Sequence, residues 1–412
     1  MADNRTFVIV GAGLAGATAA ETLRAEGFTG RVVLLGSEPE RPYERPPLSK
    51  GLLLGTTERD AVHVHDTTWY PDHAVELRTA CTVTAIDRAA RRVRLTGGEE
   101  LGYDKLLLAT GATPRDLPVA GADLPGVLQL RTLADSARIA DAVADGTRLV
   151  VIGAGWIGLE VAAAARARGA TVTVVETADL PLQRVLGDRM AAVFAGLHRR
   201  HGVVFHFGAR TREIRGTDRV SQVVLDDGTV LDADVVLIAV GVTPETGLAE
   251  RAGLPVDNGI LVDGRLGTDD PDIFAAGDVA NVAHPLLGAR VRVEHWSHAL
   301  HSGPAAARAM LGQDIRYDRL PYFFTDQYDL GMEYAGWIPP GAATELVIRG
   351  DLDRLEFVAF WTIDGRVAAG MNVNVWDVTD PIQDLIRAGL AGTRVDRAAL
   401  EDPAVPLAAL SS

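Results

Sequence analysis

Two glutamates, Glu38 and Glu176, each follow a glycine-rich hexapeptide at a distance that suits dinucleotide binding. The hexapeptides occupy residues 11–16 and 153–158, and both have glycine at the first, third and sixth positions. The first glycine permits a tight turn, the second lets the backbone approach a pyrophosphate, and the third lets a helix pack on a strand. A carboxylate at the end of the next strand accepts hydrogen bonds from ribose hydroxyls. The pattern therefore predicts two dinucleotide sites.

Elements with matching spacing surround both turns. Apolar runs at residues 6–10 and 148–152 predict the strands before the turns, and runs at 31–35 and 171–175 predict the strands that lead to the acids. Small residues at 17–26 predict the first helix. In both copies an alanine stands four residues after the last glycine of the turn, and a glycine stands seven residues after that alanine. Two chance copies with the same helix spacing are improbable.

The phosphates would bind at the start of each helix, where free N–H groups and the helix dipole favour an anion. The first copy has extra residues before its acid, so Ser37 and Glu38 are alternative ribose contacts, and we favour Glu38 for its charge. The residues assigned to the turns are Gly11, Gly13, Leu14, Ala15 and Gly16 in the first copy and Gly153, Gly155, Ile157 and Gly158 in the second.

Composition excludes several classes of protein. The formal net charge is −15, which argues against nucleic-acid binding. The chain has no apolar run of about twenty residues and no apparent signal peptide, so we expect neither a membrane span nor export. Cys81 is the only cysteine, so an intramolecular disulfide is impossible and a reducing, cytoplasmic compartment is expected.

Three domains are expected from the 412 residues. The tetrapeptides at 111–114 and 241–244, Gly-Ala-Thr-Pro and Gly-Val-Thr-Pro, each follow a buried strand and are predicted to be crossings between domains. The predicted fold class is α/β, with two Rossmann-like domains, the second inserted into the first, and a C-terminal α+β domain with an antiparallel sheet. The boundaries are residues 1–112 with 243–320, residues 113–242, and residues 321–412. A helix is expected at 187–202.

These motifs resemble the FAD-dependent ferredoxin reductases of bacterial cytochrome P450 and Rieske oxygenase systems, of the putidaredoxin reductase type, within the glutathione-reductase-like flavoproteins. The similarity extends over essentially the whole chain. Besides the first glycine turn, it is carried by Arg-Pro-Pro-Leu-Ser-Lys at 45–50, by residues 153–160, by 268–278 with its Ala-Gly-Asp ending, and by Pro-Tyr-Phe-Phe-Thr-Asp-Gln-Tyr at 321–328. The resemblance implies FAD in the first domain, NADH in the second, and a C-terminal interface domain.

The resemblance also implies contacts with the cofactors. Val83 would meet the adenine, Arg131 a phosphate or the ring edge, Asp278 the ribityl chain, and Trp296 the flavin ring. The further cofactor contacts are Arg45, Lys50, Ala109, Thr110, Gly111, Gly277, Glu160, Arg184 and Gly241. No metal ligands are expected.

Lys50 and Glu160 are the catalytic candidates for transfer of a hydride from NADH to FAD. Lys50 is one of only two lysines in the chain and lies in a proline-rich loop, where its ammonium could favour the anionic reduced flavin. Glu160 stands two residues after the second glycine turn and could pair with Lys50 or touch the nicotinamide amide.

The resemblance further implies single-electron transfer to an acidic iron–sulfur ferredoxin, and through it to a P450 or Rieske oxygenase. We expect Arg308, Arg316 and Arg319 to contribute a docking patch. Relatives often have a tryptophan where this chain has Phe323 or Phe324, which affects partner choice if that tryptophan takes part in docking.

The cysteine and histidine positions bear on the alternative functions. Disulfide reductases need two nearby cysteines, and Cys81 is alone. Flavoproteins with one redox cysteine place it in the loop after the first unit, and that loop, at 48–51, has no cysteine here, so we expect Cys81 to be structural. The histidines at 295, 298 and 301 are expected on a helix surface. The alternatives are a rubredoxin reductase or a nonspecific NADH oxidase and, in a different class, an apoptosis-inducing-factor-like flavoprotein.

Overall fold

The structure is a computed structural model that describes residues 3–410. The α-helices, in chain order, are α1 Leu14–Ala25, α2 Gly51–Leu54, α3 Trp69–Asp72, α4 Leu133–Ala142, α5 Trp156–Ala167, α6 Gln183–Arg200, α7 Gly247–Arg251, α8 Trp296–Met310, α9 Thr379–Leu390 and α10 Arg397–Glu401.

The β-strands, in chain order, are β1 Thr6–Val10, β2 Arg31–Leu35, β3 Val75–Arg78, β4 Val83–Asp87, β5 Arg92–Leu95, β6 Glu100–Gly102, β7 Lys105–Leu108, β8 Ala112–Pro114, β9 Val127–Leu128, β10 Arg148–Ile152, β11 Thr171–Val175, β12 Val204–His206, β13 Thr211–Gly216, β14 Val220–Leu225, β15 Val230–Asp232, β16 Val235–Ile238, β17 Val242–Pro244, β18 Ile260–Val262, β19 Ile273–Ala275, β20 Ala280–His284, β21 Ala289–Arg292, β22 Tyr322–Gln327, β23 Leu330–Gly336, β24 Glu345–Asp351, β25 Glu356–Ile363 and β26 Arg366–Val373.

Two five-stranded parallel sheets carry the glycine turns. Their strand orders are β19-β7-β1-β2-β3 and β12-β11-β10-β16-β9. Strands β1, β2 and β10 are buried along nearly their whole length, as expected for parallel strands covered on both faces. The four strands predicted around the turns are confirmed with the predicted bounds. Parallel pairing brings the turn after β1 close to the end of β2, and the same holds for β10 and β11.

The predicted crossings between domains lie side by side. Strand β8 pairs antiparallel with β17, and Thr113 faces Thr243 in the register. The chain therefore leaves the first parallel sheet and returns to it along one two-stranded ribbon. This pairing supports the insertion of the second Rossmann-like unit, and the exact boundaries stay a prediction.

The C-terminal part of the chain forms a five-stranded antiparallel sheet of order β22-β23-β26-β25-β24. Helix α9 packs on β26 and β23 through Ile382, Leu385 and Ile386, which are fully buried. The opposite face of the sheet joins the core of the second Rossmann-like unit, where Phe323 and Phe357 share a cluster with Phe194. Strand β22 thereby lies against helix α5.

Several predicted bounds were wrong at helix ends. Helix α6 begins at Gln183 rather than 187 and continues across Gly187, whose φ of +72° is not helical and marks a kink. Helix α1 begins at Leu14, inside the glycine turn, because the turn itself supplies the first helical residues. Within residues 3–410, no helix is both long and apolar enough to cross a membrane.

The close packing of α1 on α8 generates a stability prediction. A Cβ atom on Gly303 of α8 would lie 2.2 Å from the Ala15 carbonyl oxygen of α1, so Gly303→Ala must force the helices apart. We expect a loss of about 1–3 kcal/mol in the free energy of unfolding, measured by denaturant titration. The control is Gly196→Ala in α6, where the nearest atom is the flexible Arg200 side chain at 3.5 Å and alanine should stabilise the helix. Equal effects of the two substitutions would contradict the packing argument.

Candidate functional site

The first glycine turn packs tightly against backbone at Gly11 and Gly16 and is open at Gly13. A Cβ on Gly11 would lie 2.0 Å from the Ala109 carbonyl oxygen, and a Cβ on Gly16 would lie 2.0 Å from the Gly11 carbonyl oxygen. Beside Gly13, by contrast, there is no atom within 4 Å of the Cβ position. Gly13 is the N-cap of α1, no side chain caps the helix, and its first turn holds no acid. The open side can therefore receive an anion at the helix N-terminus.

Two half-buried guanidinium groups lie beyond this turn. Arg45 donates to the carbonyl oxygen of Arg131 and forms a 2.8 Å ion pair with Glu38. Arg131 forms a 3.2 Å ion pair with Asp278. Burial, together with the positive charge of Arg45, lowers the pKa of Arg131 below its ordinary value. A bound anion would relieve this repulsion, so the pair fits a pyrophosphate.

A cavity of about 990 Å³ connects these groups. Its walls include the following predicted cofactor residues: Gly11, Ser37, Glu38, Arg45, Val83, Thr110 and Arg131. Glu38 also accepts a hydrogen bond from the Tyr43 hydroxyl, which sequence reasoning did not assign. Both Ser37 and Glu38 face the cavity, so both stay candidates for the ribose contact.

Cys81 lies before β4, which begins at Val83, and contributes to the wall of the same cavity. Partial burial raises the pKa of its thiol, so the group is held in its unreactive protonated form at neutral pH. The single sulfur therefore offers packing next to the cofactor cavity rather than redox chemistry.

The second glycine turn is tied directly to its acid. Gly155 is the N-cap of α5 and, like Gly13, has open space beside it. The carboxylate of Glu176 accepts a 2.7 Å hydrogen bond from the Ala154 N–H and a 2.9 Å bond from the Ala178 N–H. These bonds hold the acid at the edge of the turn, where a ribose would lie. Arg184, which was predicted to serve the second cofactor, is exposed on α6.

Lys50 and Glu160 form a 2.8 Å ion pair between the two Rossmann-like units. Glu160 is 6% exposed and lies on α5, and it also accepts hydrogen bonds from the hydroxyls of Ser49 and Thr325. The Lys50 ammonium lies 5.4 Å from the centre of the Phe324 ring. Sequence reasoning predicted the pair but assigned no role to Ser49 or Thr325. Two features of the sequence point to these residues: Ser49 is adjacent to Lys50, and Thr325 occupies a buried position in the alternating pattern of β22.

Trp296 stands beside this pair at the start of α8. Its ring meets Phe324 edge to face at 5.9 Å, and its indole N–H is buried without a hydrogen-bond partner in the described part of the chain. Phe323 has a different environment, since it is buried between Trp156 and His295. Of the two phenylalanines, Phe324 alone lies beside both Lys50 and Trp296.

The prediction of a histidine-bearing helix surface was wrong for His298. This residue is buried and bonds the Tyr317 hydroxyl through Nδ1 at 2.8 Å, because α8 turns that face toward the following chain. Among the proposed docking arginines, Arg308 pairs with Glu26 at 2.8 Å, and Arg316 and Arg319 are exposed. No group of three or more His, Cys, Asp or Glu residues within 3–410 could hold a metal ion.

Two parallel sheets that each end in an uncapped glycine turn are the arrangement of an oxidoreductase with two dinucleotide sites. Comparison with known proteins agrees. The chain belongs to the pyridine nucleotide-disulphide oxidoreductase family, whose model matches residues 5–303, and a reductase C-terminal model matches residues 322–411.

Relatives and solved structures extend the similarity over nearly the whole chain. Rhodocoxin reductase of Rhodococcus erythropolis is 41% identical over 90% of this chain and 86% of its own. The ferredoxin–NAD(+) reductase component of the anthranilate 1,2-dioxygenase system of Burkholderia cepacia is 41% identical over 97% and 98%. The reductase in the covalent putidaredoxin reductase–putidaredoxin complex superposes with a TM-score of 0.94 at 35% identity, covering 99% of both chains. The predicted resemblance is confirmed.

The half-buried arginine pair generates a binding prediction. Arg131→Gln should weaken FAD binding about 10- to 100-fold, because it removes a charge-assisted contact from a desolvated site. Reconstitution of the apoprotein with FAD, followed by fluorescence, measures the dissociation constant. The control is Arg397→Gln, since Arg397 is exposed on α10 and pairs with Glu401 away from the cavity. An unchanged dissociation constant in Arg131→Gln would remove Arg131 from the FAD site.

Proposed function

We propose that this chain is an NADH-dependent ferredoxin reductase that passes electrons from NADH through FAD to an iron–sulfur ferredoxin of a P450 or Rieske oxygenase system. The observation that carries the proposal is the ion pair of Lys50 with the buried Glu160 carboxylate, which joins the loop of the first dinucleotide unit to the helix of the second. A charged pair at that junction lies where the two cofactors would meet. The ferredoxin and oxygenase reductases among the relatives support the choice of acceptor.

The residues present fit FAD in the first unit. The open side of the first glycine turn and the Arg45–Arg131 pair suit a pyrophosphate, and the buried indole N–H of Trp296 has no other partner in the described chain. Bound FAD would supply the step that splits a hydride into single electrons. The protein's part is to hold the two dinucleotides in contact, to exclude water and to place the Lys50 charge.

The cysteine content and the exposed arginines bear on the choice of the electron acceptor. A chain with one cysteine cannot reduce a disulfide through a cysteine pair, and the reductases named among the relatives support a ferredoxin as the acceptor. We propose that an acidic ferredoxin docks near the exposed Arg316 and Arg319, since these lie at the junction with the C-terminal sheet. The same cysteine content favours a cytoplasmic setting.

Two measurements test the function. Anaerobic NADH should bleach the flavin absorbance of the purified protein, and cytochrome c reduction should accelerate strongly when an iron–sulfur ferredoxin is added. A rubredoxin that replaces the ferredoxin with equal efficiency would identify a rubredoxin reductase. Oxygen consumption that no carrier protein accelerates would identify an NADH oxidase. A flavin that NADH does not reduce would overturn the proposal.

Lys50→Met should slow reduction of the flavin by NADH about tenfold or more, because it removes a cation from a water-poor site where negative charge develops. FAD should stay bound, and the rate is measured by anaerobic stopped-flow. The control is Lys105→Met, since Lys105 is the chain's other lysine and bonds Asp272 on a distant surface. Equal rates in wild type and Lys50→Met would reject the role of the ammonium.

NADH should be preferred to NADPH about 30- to 150-fold in kcat/KM, since a 2′-phosphate would lie against the Glu176 carboxylate at a cost of roughly 2–3 kcal/mol. Glu176→Ala should relax this preference, whereas Asp227→Ala, in the hairpin turn after β14, should not. Steady-state kinetics with both cofactors decides the matter. A wild type without preference, or an alanine variant that keeps it, would falsify the assignment.

A further inference from the structure

Strand β22 presents three buried side chains to the second Rossmann-like unit. Phe323, Thr325 and Gln327 are 8%, 0% and 1% exposed, and they alternate along the strand, so they share its inner face. Phe323 packs on Trp156, but the other two are polar. Burial of polar groups is costly unless every one is hydrogen-bonded, so the contacts of Thr325 and Gln327 are informative.

A continuous series of hydrogen bonds links these residues to Glu160. The Thr325 hydroxyl donates to Glu160 Oε1 at 2.6 Å, and the Gln327 amide nitrogen donates to Thr325 Oγ1 at 3.1 Å. His198 Nε2 lies 2.8 Å from the Gln327 amide oxygen, and its Nδ1 lies 3.3 Å from the Tyr328 hydroxyl. The series runs from α6 through β22 to the carboxylate on α5.

The direction of donation is the same at every step. Burial lowers the pKa of His198 to about 4, so the ring is neutral at pH 7 and carries a single N–H. That N–H must be on Nε2, because the facing Gln327 atom is an acceptor, and Nδ1 then accepts from Tyr328. The Gln327 amide N–H donates to a lone pair of Thr325 Oγ1, so the hydrogen of the Thr325 hydroxyl is donated to Glu160. The geometry thus directs all donors toward the carboxylate.

We infer that Thr325, Gln327 and His198 are positioning residues that hold the Glu160 carboxylate in place and aimed at Lys50. The inference rests on the proposed function and extends it, since it assigns part of the hydride-transfer machinery to the C-terminal sheet. Lys50, Ser49 and Thr325 together provide the donors that a buried carboxylate needs, and the Gln327–His198 arm fixes the Thr325 hydroxyl in its donating orientation.

The first test removes the hydroxyl and then restores it. Thr325→Val should slow anaerobic flavin reduction by NADH about 10- to 100-fold, the value of one hydrogen bond to a charged group, while the NADH dissociation constant stays unchanged. Thr325→Ser should recover most of the rate, because serine keeps the donor. The matched control is Thr362→Val in β25, since that threonine is 5% exposed and bonds only a backbone carbonyl.

The second test changes Gln327, which contacts Thr325 but not the Glu160 carboxylate. Gln327→Met leaves every direct contact of Glu160 in place and removes the group that orients Thr325, so the rate should fall by about two- to tenfold. This variant also keeps the inference testable if Thr325→Val does not fold, which FAD content and thermal unfolding would reveal. Full wild-type rates in a folded Gln327→Met would remove Gln327 and His198 from the positioning role and leave Thr325 alone in it.

A third readout does not depend on turnover. Lys50 and Lys105 are the only lysines, so protein labelled with ¹³C-lysine gives two ε-methylene signals, and the Lys105 signal is an internal reference. The Lys50 signal should move in Thr325→Val and Gln327→Met and stay in place in Thr362→Val. A Lys50 signal that ignores both variants would show that the network is only structural.

The outcomes separate this inference from the function on which it rests. If NADH does not reduce the wild-type flavin, the proposed function fails. If NADH reduces the wild-type flavin and the folded variants of Thr325 and Gln327 match it in rate and in the Lys50 signal, the positioning role alone is overturned.

Discussion

The site depends on an ion pair whose carboxylate, that of Glu160, is buried where three parts of the chain meet. An isolated ion in such a place is costly, and the attraction between Lys50 and Glu160 offsets that cost only if the remaining lone pairs are satisfied. Helix α5 carries Glu160, and each of the two parts of the chain that pack against it contributes a donor. Ser49 comes from the loop of the first unit and Thr325 from the C-terminal sheet. The need to satisfy one carboxylate thus couples the three parts of the structure.

The cofactor sites depend on the opposite arrangement, in which polar groups are left without partners. Helices α1 and α5 both begin without a capping side chain, and the space beside Gly13 and Gly155 is empty. The N–H groups at these helix ends are costly to leave unpaired when they are covered. A dinucleotide phosphate bound there would satisfy them, so the glycine motifs, which are the strongest local signals in the sequence, mark the places where the helix ends have no capping side chain.

The aromatic residues near the pair show how neighbours in sequence acquire different tasks. Phe323 and Phe324 lie on opposite faces of β22, as strand geometry requires. The first is packed in the core against Trp156, whereas the second lies between Lys50 and Trp296. A substitution of Phe323 would therefore act on packing between domains, and a substitution of Phe324 on the surroundings of Lys50 and Trp296.

The sequence alone determined the local parts of this protein. Glycine spacing and apolar runs predicted strands β1, β2, β10 and β11 to the residue, because turn geometry and period are local properties. It also pointed to Lys50 and Glu160. Only the tertiary structure decided that Thr325, Gln327 and His198 converge on Glu160, that His298 is buried, and that β8 pairs with β17. The Thr325–Glu160, His198–Gln327 and β8–β17 contacts join residues more than a hundred positions apart, and no short-range pattern records which distant side chain will supply a donor.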